Sequence, residues 1–272
     1  MTKLHLVQAG VRLRQFSFIT KSKTMTNLKL FDHYSFRARL QPALLTLLPA
    51  AVGIFAWTGP GVKWQSALWT LFGTAGGTYF LAILARNFGK QIEPGLWQSW
   101  GSAPTTQLLR HSGTGNPVMR ERWHKSLSKL LEKPFPTAQE EAADLAGADN
   151  IYTAGIKLLI NKTRDTKKFH LVYKENVQYG YCRNLYAMRV MGIILALLGL
   201  IASCAAGIWS VHAGDPKIYP WVCAAVDITF LFWWLFTIKA SWVKVPAFAY
   251  ADRLLESTEN LTRSRKASAE KE

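Results

Sequence analysis

The sequence predicts an all-α, polytopic membrane protein, with four transmembrane helices in two hairpins and a helical cytoplasmic domain between them. The chain has 272 residues, of which 49% are hydrophobic. Four blocks of 18 to 20 residues carry almost no charge, and about 20 apolar residues in a helix cross a bilayer core. This apolar content excludes a mainly disordered chain, and three cysteines are too few for a disulfide-rich secreted scaffold.

The basic N-terminal segment, residues 1–39, is expected on the cytoplasmic side. Residues 1–24 contain five Lys and Arg and no Asp or Glu, which is typical of a transit peptide or of a basic helix on a membrane surface. Alternatively, Met25 is the true start and residues 1–24 lie upstream of it. We expect no cleaved signal peptide, because no apolar stretch precedes a small-residue cleavage site.

The four apolar blocks form two pairs, each joined by a short turn. The first hairpin, residues 40–85, contains Leu40–Trp57 and Ala67–Ala85. The second, residues 190–238, contains Val190–Trp209 and Tyr219–Ile238. Glycine and proline in both connections favour turns. The alternative, buried helices of a soluble protein, fits poorly because such helices usually keep a polar stripe.

The distribution of basic residues predicts the orientation. Of the 33 Lys and Arg, only Lys63 and Lys217 lie in the two hairpin turns. Positive residues favour the cytoplasmic side, so both termini and the central region are expected there, in a bacterial inner membrane. Anionic lipids of the inner leaflet account for the net charge of +16, so no nucleic-acid partner is required.

Residues 86–189 are predicted to form the helical cytoplasmic domain. Helices are expected from Asn116 to Glu132, after a capping box at Thr137–Glu140, and over Asn150–Arg164 behind a cap at Asp149. A last helix is expected over His170–Arg189, running directly into the third span. Trp97–Thr106 has the composition of an aromatic loop that packs at the membrane surface.

The C-terminal region, residues 239–272, is predicted to be a cytoplasmic amphipathic helix and a tail. Pro246 is expected to bend the chain, because proline cannot donate a helical hydrogen bond. A helix is then predicted over Ala247–Arg263, followed by a frayed end.

Asp227 is the most informative single residue, because it lies in the middle of the fourth block. A carboxylate at that depth is costly unless it is partnered or faces a wet cavity. In an antiparallel hairpin Ser203 lies within about 3 Å of the same depth, at about 1.5 Å per residue. We therefore expect a hydrogen bond between Asp227 and Ser203, or another small polar group. Two roles remain open: an ion or proton pathway, or a structural bond between helices.

A stripe of small residues follows one face of the third block. Small residues allow helices to approach closely in membranes, and the contact could lie within one subunit or between subunits. The stripe consists of Gly192, Ala196, Gly199, Ser203 and Gly207. Gly73 and Gly77 give a second close-packing motif in the second block.

Polar residues before the third block are candidates for binding a ligand or a lipid headgroup. These are His170, Lys174, Tyr179 and Arg183. The alternative is a solvated helix face. We assign no catalytic residue, metal site or cofactor, because the cysteines lack metal-ligand spacing and the chain lacks GxGxxG, P-loop, HExxH and GxSxG motifs. These absences weaken an enzymatic interpretation without excluding it.

Several short stretches resemble a family of uncharacterised bacterial four-span membrane proteins. They are Leu96–His111, Asn116-Pro117, Pro134–Thr137 and Thr163–Phe169. The resemblance covers roughly residues 25–250, implies a bacterial cytoplasmic membrane and favours Met25 as the start. It implies no activity and no catalytic residues.

Our leading functional hypothesis is an oligomeric, channel-like or effector/sensor membrane protein that is gated through its cytoplasmic domain. The expected partners are the bilayer, its anionic lipids and further copies of the chain, and a cytosolic protein is a further candidate. One alternative is a non-conducting scaffold that docks a cytosolic partner. Another is a membrane enzyme that acts on lipid headgroups.

Overall fold

A computed structural model of the chain describes residues 33–60 and 75–269, and this part is helical without a strand. Residues 1–24, Met25, Lys63 and Gly73, on which several predictions rest, lie outside it. The helices are α1 (His33–Thr58), α2 (Ala75–Trp100), α3 (Pro104–Leu109), α4 (Pro117–Leu131), α5 (Ala138–Ala143), α6 (Leu145–Lys162), α7 (His170–Ala187), α8 (Arg189–His212), α9 (Tyr219–Thr237) and α10 (Ala240–Ala269).

Three helices in the described part are long and apolar enough to cross a membrane: α1, α8 and α9. They match the first, third and fourth predicted spans. The second predicted span lies partly outside the described residues, and its remainder, residues 75–85, is the start of α2. Many large apolar side chains on the spans are exposed, as a lipid-facing surface requires. Examples are Val190, Ile194, Leu198, Ile201, Val222, Phe232 and Phe236.

Helices α8 and α9 are antiparallel and pack closely through glycines. A Cβ atom on Gly192 would lie 2.3 Å from the indole of Trp234, near the start of α8 and the end of α9. A Cβ on Gly207 would lie 2.7 Å from the indole of Trp221, at the opposite end of the pair. Each large ring therefore fills the space that a missing side chain leaves.

Helix α1 runs parallel to α8 and crosses it at a point where two glycines meet. A Cβ on Gly53 would lie 2.8 Å from the Cα of Gly199. Midway along α1, Thr46 Oγ1 lies 3.8 Å from the sulfur of Met188, which directly precedes α8. These contacts pack the three candidate spans against one another.

The caps of the domain helices are mostly the predicted ones. The Asn116 side chain accepts hydrogen bonds from two backbone amides at the start of α4, and Thr137 and Glu140 form the expected capping box before α5. The predicted cap of α6 is wrong: Asp144 caps the helix by accepting a hydrogen bond from the amide of Gly147 at 2.8 Å. Asp149 lies inside α6, where its carboxylate pairs with Arg110.

Two helices continue through residues that sequence analysis read as loops or bends. Trp97–Trp100 is the end of α2 rather than part of a loop. Helix α10 begins at Ala240, so Pro246 lies inside it and does not separate a new helix. Proline removes one helical hydrogen bond, but Val243 and Ala247 on either side of it are buried in a shared apolar cluster. Tertiary packing therefore keeps the helix continuous.

The core of the helical domain is assembled from residues far apart in sequence. Trp123, Leu127, Tyr152 and Leu159 pack there with Leu254 and Leu255 from α10. The domain predicted as residues 86–189 is therefore completed by the C-terminal helix. Helix α7 carries the chain from this core to α8, with a single break at Met188.

Candidate functional site

A buried ion pair lies where the helical domain meets the candidate spans. The guanidinium of Arg183 on α7 contacts Glu93 on α2 at 2.7 Å, and each residue is only 5% exposed. Breaking a buried pair leaves an uncompensated charge and is strongly destabilising. These two residues belong to the junction cluster, which we define as Glu93, Tyr179, Arg183, Asn184 and Arg189.

The carboxylate of Glu93 accepts hydrogen bonds from three side chains. Besides Arg183, the hydroxyl of Tyr179 donates to it at 2.8 Å and the ammonium of Lys90 at 2.6 Å. Burial alone would raise the pKa of Glu93, but the charge of Arg183 and these hydrogen bonds outweigh burial, so the pKa lies below its ordinary value. Burial, followed by the charge of Glu93, raises the pKa of Tyr179. At neutral pH the carboxylate is therefore ionised and the phenol protonated.

Asn184 connects the same cluster to α1. Its side-chain amide donates to the carbonyl of Ala38 at 2.5 Å, and its oxygen accepts from the guanidinium of Arg183. Ala38 lies in a π-helical segment, Phe36–Leu40. A Cβ on Gly89 would lie 1.8 Å from the Asn184 oxygen, so only glycine lets α2 pass this close.

Arg189 connects the cluster to α9. Its guanidinium donates to the carbonyls of Trp234 and Leu235 at 3.1 and 3.0 Å. These carbonyls belong to a second π-helical segment, Trp233–Thr237. Side chains around the α7–α8 junction thus bind both π segments. π-helical segments are rare and frequently occur at functional sites.

Asp227 lies at the contact between the candidate spans and is fully buried. Ser203 Oγ donates to its carboxylate at 2.9 Å, so the predicted hydrogen bond is confirmed. Its second oxygen, Oδ1, has no hydrogen-bond partner among the described residues. A Cβ on Gly199 would lie 3.0 Å from this oxygen and 2.5 Å from the carbonyl of Pro49. The carboxyl is therefore enclosed by α1, α8 and α9 of one chain.

The small-residue stripe on α8 packs within the chain. Gly192, Gly199 and Gly207 contact α9 or α1, and Ala196 is fully buried. This corresponds to the within-subunit alternative. The stripe is covered by its own chain, so it is not available as the interface for a second copy. Gly77 is half-buried in the described part of α2.

The four residues proposed for headgroup binding do not form one pocket. Tyr179 and Arg183 meet in the junction cluster, whereas Lys174 lines a groove between α1 and α7, and His170 lines another beside α4 and α10. The reason is helical geometry. The step from Lys174 to Tyr179 is five residues, which at about 100° per residue turns the chain to the far side of the helix.

The rings of His111 and His124, which no sequence motif connects, lie 5.0 Å apart. Nearby, Glu141 accepts hydrogen bonds from the amide of His111 at 2.8 Å and the hydroxyl of Tyr152 at 2.7 Å. Burial opposes ionisation of Glu141, but these bonds and two from Ser112 hold its pKa to about 2. Burial lowers the pKa of His124. This network stabilises the helical domain, and no sequence motif predicts it.

Glu93 and Arg189 are not among the predicted site residues, because neither belongs to a local motif. Glu93 and Arg183 are brought together only by the packing of α2 on α7. Within residues 33–60 and 75–269, His, Cys, Asp and Glu side chains form no group that could hold a metal ion.

Comparisons with protein-family models, with curated proteins and with solved structures found no match.

Proposed function

We propose that this chain is a membrane sensor or effector whose cytoplasmic helical domain receives a signal and acts on the spans through the junction cluster. In this proposal, four spans form two hairpins in a bacterial inner membrane, and both termini and the helical domain lie in the cytoplasm. The signal is a ligand that binds the chain on the cytoplasmic side.

The observation that carries the proposal is the set of bonds made by the junction cluster. Arg183 reaches α2, Asn184 reaches α1, and Arg189 reaches α9. These side chains belong to one short stretch around the break between α7 and α8. A movement of α7 relative to the membrane would therefore change contacts with every candidate span at once.

Two features support the proposed topology. Helices α1 and α8 run parallel, and a basic residue lies just before the apolar part of each, Arg39 in α1 and Arg189 in α8. Helix α9 runs antiparallel to α8, and the turn between them contains a single basic residue, Lys217. Parallel helices that begin at positive flanks favour a common cytoplasmic starting side.

The enclosure of Asp227 favours a sensor over a channel-like assembly. A pathway residue should reach water or an ion, whereas this carboxyl is sealed between helices of one chain. The residues that could have formed an oligomer contact on α8 are also covered within the chain. The structural role of Asp227 is therefore the better-supported alternative.

Subunit number and ion flux test this proposal together. We expect the full chain, analysed by native mass spectrometry in mild detergent, to be a monomer or small oligomer, and its proteoliposomes to conduct no ions. The Asp227→Asn variant, which preserves size, should behave identically in the flux assay. A closed ring of several subunits whose flux is lost in Asp227→Asn would overturn the proposal in favour of a channel.

A further inference from the structure

A cationic cleft lies beside the junction cluster, between α1, α2, α7 and α10. Its volume is about 380 Å³, which is large enough for a small polar group. The charged residues that line it are Arg39, Arg86, Lys90, Arg183 and Glu93. Four are cationic and one is anionic, so the walls of the cleft carry an excess of positive charge.

The single carboxylate of the cleft is already engaged by its neighbours. Glu93 binds Arg183 and Lys90, and both its oxygens accept hydrogen bonds. Arg39 and Arg86 contact no carboxylate among the described residues, although Arg39 reaches the hydroxyl of Ser35 at 3.2 Å. Two guanidinium groups thus line the cleft without an acidic partner. Guanidinium groups bind phosphate oxygens in pairs of parallel hydrogen bonds.

The opposite wall of the cleft provides a neutral donor. Tyr250 on α10 lines the cavity and stacks on Tyr179, with ring centroids 6.2 Å apart and planes at 8°. Its hydroxyl makes no hydrogen bond to another described residue. Burial, and then the neighbouring Tyr34 and Glu93, raise the pKa of Tyr250 to about 12. The hydroxyl is therefore protonated at neutral pH and can donate to an oxyanion.

The position of the cleft relative to the spans limits what can occupy it. Arg39 directly precedes the first predicted span, and Arg86 directly follows the second. In the proposed topology, both arginines lie at the level of the headgroups of the inner leaflet. Anionic lipids attract basic side chains at that surface, and soluble anions can also reach it from the cytoplasm.

We propose that this cleft binds the phosphate group of an anionic ligand, with Arg39 and Arg86 as its principal contacts and Lys90 and Tyr250 as additional donors. The phosphate belongs either to a phospholipid headgroup or to a soluble phosphate monoester. This deepens the proposed sensor function by naming its ligand class. Binding is measured separately from any response, so the two can fail independently.

The test compares a cleft variant with a charge-matched control in nanodiscs containing the full chain. The cleft variant is R39Q/R86Q, and the control is R37Q/K244Q, which removes the same charge near the boundary but outside the cleft. One arm measures retention of phosphatidic acid over phosphatidylcholine by native mass spectrometry. The other titrates sn-glycerol 3-phosphate into phosphatidylcholine nanodiscs and follows thermal stabilisation.

We expect binding in at least one arm, weakened about tenfold or more in R39Q/R86Q, because two charge-assisted contacts are lost. R37Q/K244Q should bind like the wild type. Retention of phosphatidic acid alone identifies a lipid headgroup, and stabilisation by sn-glycerol 3-phosphate alone identifies a soluble ligand. Y250F, which keeps the stacked ring, should weaken binding by a smaller factor.

Two results would overturn the proposal. One is that neither probe binds the wild-type chain. The other is that R39Q/R86Q and R37Q/K244Q weaken binding equally, since that would reflect surface charge alone. Folding of each variant is checked by helical circular dichroism and by size-exclusion chromatography. If R39Q/R86Q does not fold, Y250F and R86Q are tested as single variants. Unchanged binding in both of them contradicts the proposal.

Discussion

Replacing Arg183 by methionine is expected to lower the free energy of unfolding by about 3–5 kcal/mol. The substitution keeps much of the volume of the side chain but leaves the buried carboxylate of Glu93 without its main counter-charge. It also removes the hydrogen bonds from Arg183 to the side chain of Asn184, which holds Ala38 in α1. Chemical unfolding in mild detergent, followed by circular dichroism, measures the loss.

Two comparisons make this result specific. Arg253→Met breaks an exposed ion pair with Glu256, at 2.6 Å, and should cost less than about 1 kcal/mol. The double variant Glu93→Gln/Arg183→Met removes both buried charges and should recover part of the loss. If Arg183→Met is no more destabilising than Arg253→Met, the ion pair does not hold α2 on α7 in the way described.

Replacing Gly199 by isoleucine is expected to separate α1 from α8. A Cβ at this position would lie 2.5 Å from the backbone carbonyl of Pro49, which cannot move without moving α1. Overpacking in a core costs about 1–3 kcal/mol, and more where backbone must shift. We therefore expect a loss of at least about 3 kcal/mol, or failure to recover monodisperse protein, by the same unfolding assay and by size-exclusion chromatography.

Gly95→Ile is the matched control, since Gly95 is also helical but a Cβ there would meet nothing within 4 Å. This variant should be neutral or slightly stabilising, because isoleucine has a higher helix propensity than glycine. A Gly199→Ile protein as stable as Gly95→Ile would mean that α1 and α8 do not pack through these glycines.

Features that depend on local composition could be predicted from the sequence. Uncharged blocks of membrane length identified three helices of the described part as candidate spans, because length and apolarity alone set that requirement. The contact between Ser203 and Asp227 could also be predicted, since depth in an antiparallel pair follows from counting residues along each helix. Caps such as Thr137 follow from short-range hydrogen bonding.

Features that depend on tertiary packing could not be predicted in the same way. The partner of Arg183 is 90 residues away, at Glu93, and nothing near either residue indicates the other. Asp144 caps α6, whereas the carboxylate of Asp149 pairs with Arg110, which is far away in sequence. Lys174 is separated from Tyr179 because a five-residue step turns the helix by about 140°.

The most direct test of the central claim is the distance between the helical domain and the far end of the spans. Spin labels are placed at Asn150 on α6 and at Asp215 in the α8–α9 turn, since both residues are exposed. In a chain whose cysteines are replaced, double electron–electron resonance measures their separation in nanodiscs with and without phosphatidic acid.

A sensor coupled through the junction cluster predicts that this distance shifts when phosphatidic acid is present and that Glu93→Gln/Arg183→Met abolishes the shift. A distance that stays the same in both lipids, in a protein that demonstrably binds phosphatidic acid, would contradict the account and indicate a rigid scaffold.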